Sequence, residues 1–405
     1  MSFLSTRPAP WCVLMAAVGL AAPILLLAGG GGAANAAVPA APAGWTTVFS
    51  DDFTGSSGTG VNSVNWLYDT GIGYPGGATN WGTGEIETMT SSTANVYHDG
   101  AGHLVIKPIR DGSGNWTSGR IETQRTDLAA PAGGILRIEG SIQQPNVNTS
   151  NGAGYWPAFW TLGAAARPVG ATNWPSIGEW DIMENINGRP SVFSTLHCGT
   201  VSGGPCNETT GIGSGEHACG GCNSSFHTYA VEYDRSVSPE QMRFYLDGSN
   251  YHTVTATQVG AATWAAATQH GMFIILNVAI GGGFPAAFGG GPNAATVSGV
   301  PMLVDYVAAY TKPGSTSGGG SAPSVPTGFT IAGTTSTSVS LRWNAVSGAT
   351  SYNILRAGIK IASTTNTTFT DSRLNPRTPY IYSVQAVNAA GTSAATGELT
   401  VTTPA

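Results

Sequence analysis

From residue 102 to residue 312 the chain is cut into short apolar-rich runs separated by glycine, asparagine, serine and aspartate: GHLVIKPIR, ILRIEGSIQQ, YWPAFWTLG, EWDIMEN, FHTYAVEYD, MRFYLDGSNYHTV, GMFIILNVAI and MLVDYVAAYT. Runs of this length between turn residues read as strands, and few windows sustain a 3.6-residue period. Helix bundling is thereby excluded. Such strands pair antiparallel and must close two sheets face to face, because a lone sheet leaves an apolar face in water. The expectation for residues 41–312 is an all-β sandwich of jelly-roll type, in which one curved face can form a groove. The 57 glycines and the lack of long Ala, Leu, Glu and Lys runs agree with a turn-rich β protein.

A second unit follows. Residues 313–323 form a Gly/Ser/Pro linker with nothing to bury. Beyond it, residues 324–404 alternate at period two in TSVSLRWNAV, SYNILRAG, TTFTDSRL and YIYSVQAVN, which predicts a smaller β-sandwich with Trp343 and Tyr382 in its core.

The first 36 residues read as a secretory signal. Arg7 supplies the positive start, WCVLMAAVGLAAPILLLAG the apolar stretch and Ala34-Asn35-Ala36 a small-residue cleavage site, so the mature chain is expected to begin near Ala37, outside the cell. A membrane anchor is the competing reading, disfavoured by Pro23 and the small-residue exit. Cys12 departs with the signal, leaving Cys198, Cys206, Cys219 and Cys222. Four cysteines in an exported chain imply disulfides. Spacing alone does not settle their pairing, although the local pairs Cys198–Cys206 and Cys219–Cys222 are preferred. Zinc, with His197 and His217 nearby, is the alternative, but the spacing fits no structural zinc pattern. The net charge of −6 argues against nucleic acid or an anionic membrane as a partner. A monomer is expected.

Only 9% of residues are charged, yet IGEWDIMENING, residues 177–188, holds Glu179, Asp181 and Glu184 within six positions. On a strand Glu179 and Asp181 share a face while Trp180 and Ile182 point to the core. Glu184 has the wrong parity, and burying its charge unpaired would cost several kcal/mol. A β-bulge at Ile182-Met183 would return it to the face of its neighbours. The backbones of Glu179 and Glu184 are then roughly 13 Å apart, close enough for the two side chains to lean together to the ~5 Å that retaining glycosidases use. Calcium loops also gather carboxylates, but they interleave them with Gly and Asn rather than Trp, Ile and Met.

WPSIGEWDIMENING resembles the catalytic signature of glycoside hydrolase family sixteen, the laminarinase and lichenase group, whose motif runs E-x-D-x-x-E or, in a shorter form, E-x-D-x-E. FSDDF, NWGTGEIETMT, STLH, FYLDG and ILNVAIGGGFP extend the resemblance over most of residues 45–311. It implies a concanavalin-like sandwich in which Glu179 is the nucleophile, Asp181 the assisting carboxylate and Glu184 the general acid/base, cutting β-1,3- or mixed β-1,3/1,4-glucan. Trp180 departs from the usual aliphatic residue, which bears on packing alone. Trp81 and Trp174 are the expected sugar platforms. Trp156 and Trp160 serve either the groove or the core, Glu85 and Arg120 either sugar hydroxyls or exposed ion pairs, and His197 flanks the acids. No cofactor is needed for catalysis, and a structural calcium is implied at Asp305, Asp52 and a carbonyl near Gly100. TLHCGTVSGGPCNETTGIGSG departs from the plain laminarinase pattern, so another β-linked polysaccharide such as β-1,3-galactan stays open, as does a non-catalytic carbohydrate-binding protein. The C-terminal unit, with LNPRTPYIYSVQAVNAAGTS and Tyr380 at a tyrosine-corner position, resembles a fibronectin type III module.

Overall fold

Alternation builds the molecule. In Tyr155–Gly163, Tyr155 and Phe159 are fully buried while Trp156 and Trp160 stay partly exposed on the other face. The computed structural model describes residues 38–314, 322–388 and 390–405; the expected signal and most of the expected linker lie outside the described residues. No described helix is long and apolar enough to cross a membrane.

Two eight-stranded antiparallel sheets make the larger part. The sheet that carries the groove runs Ile212–Gly213, Ser191–His197, Glu179–Glu184, Tyr155–Gly163, Met272–Ile280, Arg120–Thr123 and Trp66–Asp69, with His217–Ala218 also pairing Ser191–His197. The outer sheet runs Ser249–Thr255, Gln241–Leu246, His227–Asp234, Ile135–Gln143, Met302–Lys312, Leu104–Ile106 and Val96–His98, with Thr46–Asp51 beside Met302–Lys312. Between them Trp180, Ile182, Met183, Phe159, Ile274 and Leu276 meet Leu136, Ile138, Tyr229, Val231, Tyr233 and Phe244 in one core. The Trp180 ring packs edge-on to Tyr233 and its Nε1–H donates to the Ala267 carbonyl, so the unusual residue is a packing choice.

Two short helices, Ala256–Val259 and Ala261–Thr268, are absent from the sequence reading. Their alanine-rich stretch lacks an apolar stripe. The local signal is the Thr255–Gln258 capping box, which pairs the backbone N–H groups of those two residues. Both local cysteine pairs are bridged, Cys198–Cys206 and Cys219–Cys222, with Cα atoms 5.5 and 5.7 Å apart. Zinc ligation by these sulfurs is therefore ruled out, and His217 stacks on Tyr251 instead.

The C-terminal unit is a sandwich of a three-stranded and a five-stranded sheet. Trp343 and Tyr352 meet edge-to-face in its core at 5.4 Å, with Tyr382 fully buried beside them. The Tyr380 hydroxyl accepts the Asn375 N–H at 2.9 Å, a side chain reaching back to upstream backbone as a tyrosine corner does.

Candidate active site

The Glu179–Glu184 strand pairs regularly with Ser191–His197 through Glu179↔His197 and Asp181↔Thr195, then slips so that Glu184 faces Phe193. The slip recurs on the other side, where Asp181 faces Trp160 but Met183 faces Phe159. One extra residue is thus accommodated after Asp181, as the parity argument requires. Ile182 and Met183 both enter the core, and Glu184 comes back to the groove. Two adjacent apolar side chains on one side of the sheet are what let three acids share the other.

The groove above them encloses about 800 Å³. Its lining includes Glu179, Asp181, Glu184, His197, Trp81, Trp156, Trp160, Trp174, Glu85 and Arg120. Trp156 Nε1–H donates to Glu184 Oε1 and Trp160 Nε1–H to Asn277 Oδ1, each at 2.8 Å. Neither ring lies in the core between the sheets; both face the groove. Trp174 leans over the His197 ring at 5.5 Å. Trp81 sits in a left-handed backbone conformation, its ring beneath the Arg120 guanidinium at 4.2 Å.

Glu85 and Arg120 are not exposed ion pairs. Arg120 is 3% exposed, bonded to Asp69 Oδ2 and the Tyr74 hydroxyl at 2.9 Å each. Buried Glu85 accepts the Thr83 hydroxyl at 2.7 Å and lies against the buried Glu87 carboxyl, whose proton affinity burial and Glu85 raise. Tyr74 in turn donates to Glu122, which also pairs with Arg167. The charged network forms a rigid groove end rather than a solvated surface.

Burial, reinforced by the Asp181 charge, raises the Glu179 pKa to about 8 and that of Glu184 well above the ordinary carboxylate value. The His197 charge favours the anion of both glutamates; the Arg120 charge adds to this at Glu179, whereas Glu184 has the Trp156 N–H as its direct partner. Burial opposes charge on His197, but the Asp181 and Glu208 carboxylates at its two ring nitrogens outweigh it and raise its pKa well above the usual value.

Far from the groove, Asp305 is the residue at a register slip in Met302–Lys312. Burial raises its proton affinity, and Asp52 adds to the effect. Gly100 lies in the Asp99–His103 turn, whose imidazole acts on Asp305 in the opposite sense.

Sequence reading missed Glu208, Tyr74, Asp69, Asn277 and the aromatic rim of Phe284 and Phe288. The rim had a local signal in GGGFPAAF, two aromatics after a glycine run, which folds as a further short helix, Gly283–Ala287. The others depend on which strands become neighbours, which local pattern does not encode.

An antiparallel jelly roll with three carboxylates at the floor of an aromatic-lined groove defines a carbohydrate-active β-sandwich. Residues 146–231 match the model described as "XgeA-like, catalytic GH16 domain", and residues 324–402 match the fibronectin type III domain. The endo-1,3-beta-glucanase structure from Streptomyces sioyaensis is 61% identical, covering 68% of this chain and 99% of its own, with a TM-score of 0.66. The endo-beta-1,3-glucanase from Pyrococcus furiosus is 32% identical over 66% of this chain and 94% of its own, with a TM-score of 0.53. Among curated relatives, "Glucan endo-1,3-beta-glucosidase A1" of Niallia circulans is 30% identical over 286 residues, 66% of this chain; the match spans only 38% of that relative's length. The chain belongs to glycoside hydrolase family 16.

Proposed function

We propose that the protein is a secreted, retaining endo-β-glycanase that hydrolyses β-1,3-glucan. The bulge after Asp181 is the observation that carries this reading, because it sets a second glutamate beside Glu179 in a groove wide enough for a glycan. Similarity to proteins described as endo-1,3-β-glucanases supports the linkage.

Glu179, drawn toward its anion by His197 together with Arg120, attacks the anomeric carbon while Glu184, holding its proton, gives it to the departing glycosidic oxygen. A glycosyl–Glu179 ester results. Glu184, now a carboxylate, takes a proton from water, whose oxygen attacks the same carbon and frees Glu179. Interception by a sugar hydroxyl instead of water gives transglycosylation. The Asp181 carboxylate acts on Glu184 in the sense that favours the protonated acid. Trp81, Trp156, Trp160 and Trp174 offer flat apolar surfaces to the sugar CH faces.

Release of reducing ends from laminarin, lichenan and β-1,3-galactan, compared with Glu179→Gln, tests the proposal. Laminarin cleavage by wild type alone is expected; equal inertness of both proteins on every substrate would sink it.

Asp305 and Asp52 have the chemistry of a hard-cation site, since a divalent ion would relieve their mutual repulsion. Calcium held there would stabilise the fold and take no part in the reaction. Chelation should then lower Tm and added calcium restore it, whereas an unchanged Tm rejects the site. Export is supported by the pattern of residues 1–36 and by two disulfides, and predicts a secreted chain starting near Ala37; recovery of an uncleaved chain from cells alone would contradict it.

A further inference from the structure

We propose that Glu208 is a positioning residue for the reaction, acting through His197 to keep a cation against Glu179 and Asp181. The inference rests on the assignment of Glu179 as nucleophile.

Glu208 lies two residues beyond Cys206, where its backbone N–H and C=O pair with Gly203 inside the loop that Cys198–Cys206 closes, and its side chain is fully buried. One carboxylate oxygen is 2.8 Å from His197 Nδ1, and the other accepts the Cys198 N–H, also at 2.8 Å. Both oxygens are thereby fixed. The opposite ring nitrogen, Nε2, lies 3.3 Å from Asp181 Oδ2 and 3.9 Å from Glu179 Oε1. Trp174 covers the ring, and Gly211 passes so near it that a Cβ there would stand 2.9 Å from the imidazole. The ring is held in one orientation, with a carboxylate at each end.

The titratable groups acting on His197 are Glu208 from the loop and Asp181, Glu179 and Glu184 from the neighbouring strand, all acidic. Arg120 lies beyond them and acts on Glu179. A buried carboxylate bonded to Nδ1 stabilises the imidazolium and aims its Nε2–H at the groove. The cation then opposes the rise in Glu179 proton affinity that burial and Asp181 impose. A structural tether of this segment would need only the bond to the Cys198 N–H, whereas the second bond places the carboxylate on the ring whose other nitrogen faces the groove acids.

Glu208→Gln keeps the size and an acceptor but removes the charge. The expected result on laminarin is a fall in kcat on the order of tenfold with KM nearly unchanged. Two charge effects oppose each other: Glu208 itself raises the Glu179 proton affinity, but it acts from the far side of the ring, whereas the imidazolium stands 3.9 Å from Glu179. Loss of the nearer cation dominates, so without Glu208 His197 loses its proton more readily, Glu179 holds its own more tightly, and the acidic limb of the kcat/KM profile moves to higher pH. Adding Glu208→Gln to His197→Asn should cost less than about twofold more, because both act through one ring. Full wild-type rates with an unmoved profile overturn the proposal. So does a lower rate with unmoved limbs and a lowered Tm, which would make Glu208 a loop tether only. Wild-type inertness on every glycan would instead remove the underlying assignment of function.

Discussion

Glu184 is the residue on which fold and chemistry make opposite demands. Its carboxyl is held well above its ordinary pKa by burial and by Asp181, so the folded state resists its ionisation while the unfolded chain does not. A group with a raised folded pKa contributes stability that is complete below the unfolded pKa and is lost as pH rises toward the folded value. Glu184→Gln keeps an acceptor for the Trp156 N–H and removes that loss. The variant should match wild type in Tm near pH 4 and exceed it by several degrees near pH 8, each unit of raised pKa being worth about 1.4 kcal/mol. It should lack measurable laminarin hydrolysis. Thermal melts at both pH values check this, and a gap that is constant with pH would contradict the assigned cause.

Within the strand Glu179–Glu184, the bulge explains why six residues carry so much. Deleting Met183 leaves Glu179, Asp181 and Glu184 two apart in sequence, so a regular strand would still turn all three to the groove. The lost core side chain should cost about 2–5 kcal/mol. The deletion is therefore expected to be less stable in urea unfolding yet more active than Glu184→Gln; activity as low as that of Glu184→Gln would mean that the bulge sets reach as well as facing. Parity makes this strand legible in the sequence itself. YWPAFWTLG is a strand over its whole length, and EWDIMEN and GMFIILNVAI each differ from the observed strand by one terminal residue. Parity also places Trp156 and Trp160 on one face, but it does not say that this face is the groove. The Arg120–Asp69–Tyr74 network and the Glu208–His197 pair are illegible for a different reason. Residues 69 and 120 meet by pairing of Trp66–Asp69 with Arg120–Thr123, and Glu208 reaches His197 from the segment just after the Cys198–Cys206 bridge. Such partners are fixed by topology.

Taking both units together, the larger sandwich contains the entire described groove, and the fibronectin type III unit has a separate core. Removing residues 313–405 should leave kcat/KM on a soluble laminarin oligosaccharide within about twofold of the full chain, because none of these residues lines the groove and Asp127, which pairs with Lys360, does not line it either. A loss of tenfold or more on the soluble substrate would show that the C-terminal unit completes the site. A loss confined to insoluble glucan would assign it to substrate capture.

If Glu179 and Glu184 face one sugar and perform a double displacement, the configuration at the anomeric carbon is retained. Proton NMR of the first products from a β-1,3-linked oligosaccharide reads this directly, before mutarotation mixes the anomers. The new reducing end should appear first as the β-anomer; initial appearance of the α-anomer would mean single displacement by water and would contradict the role assigned to Glu179.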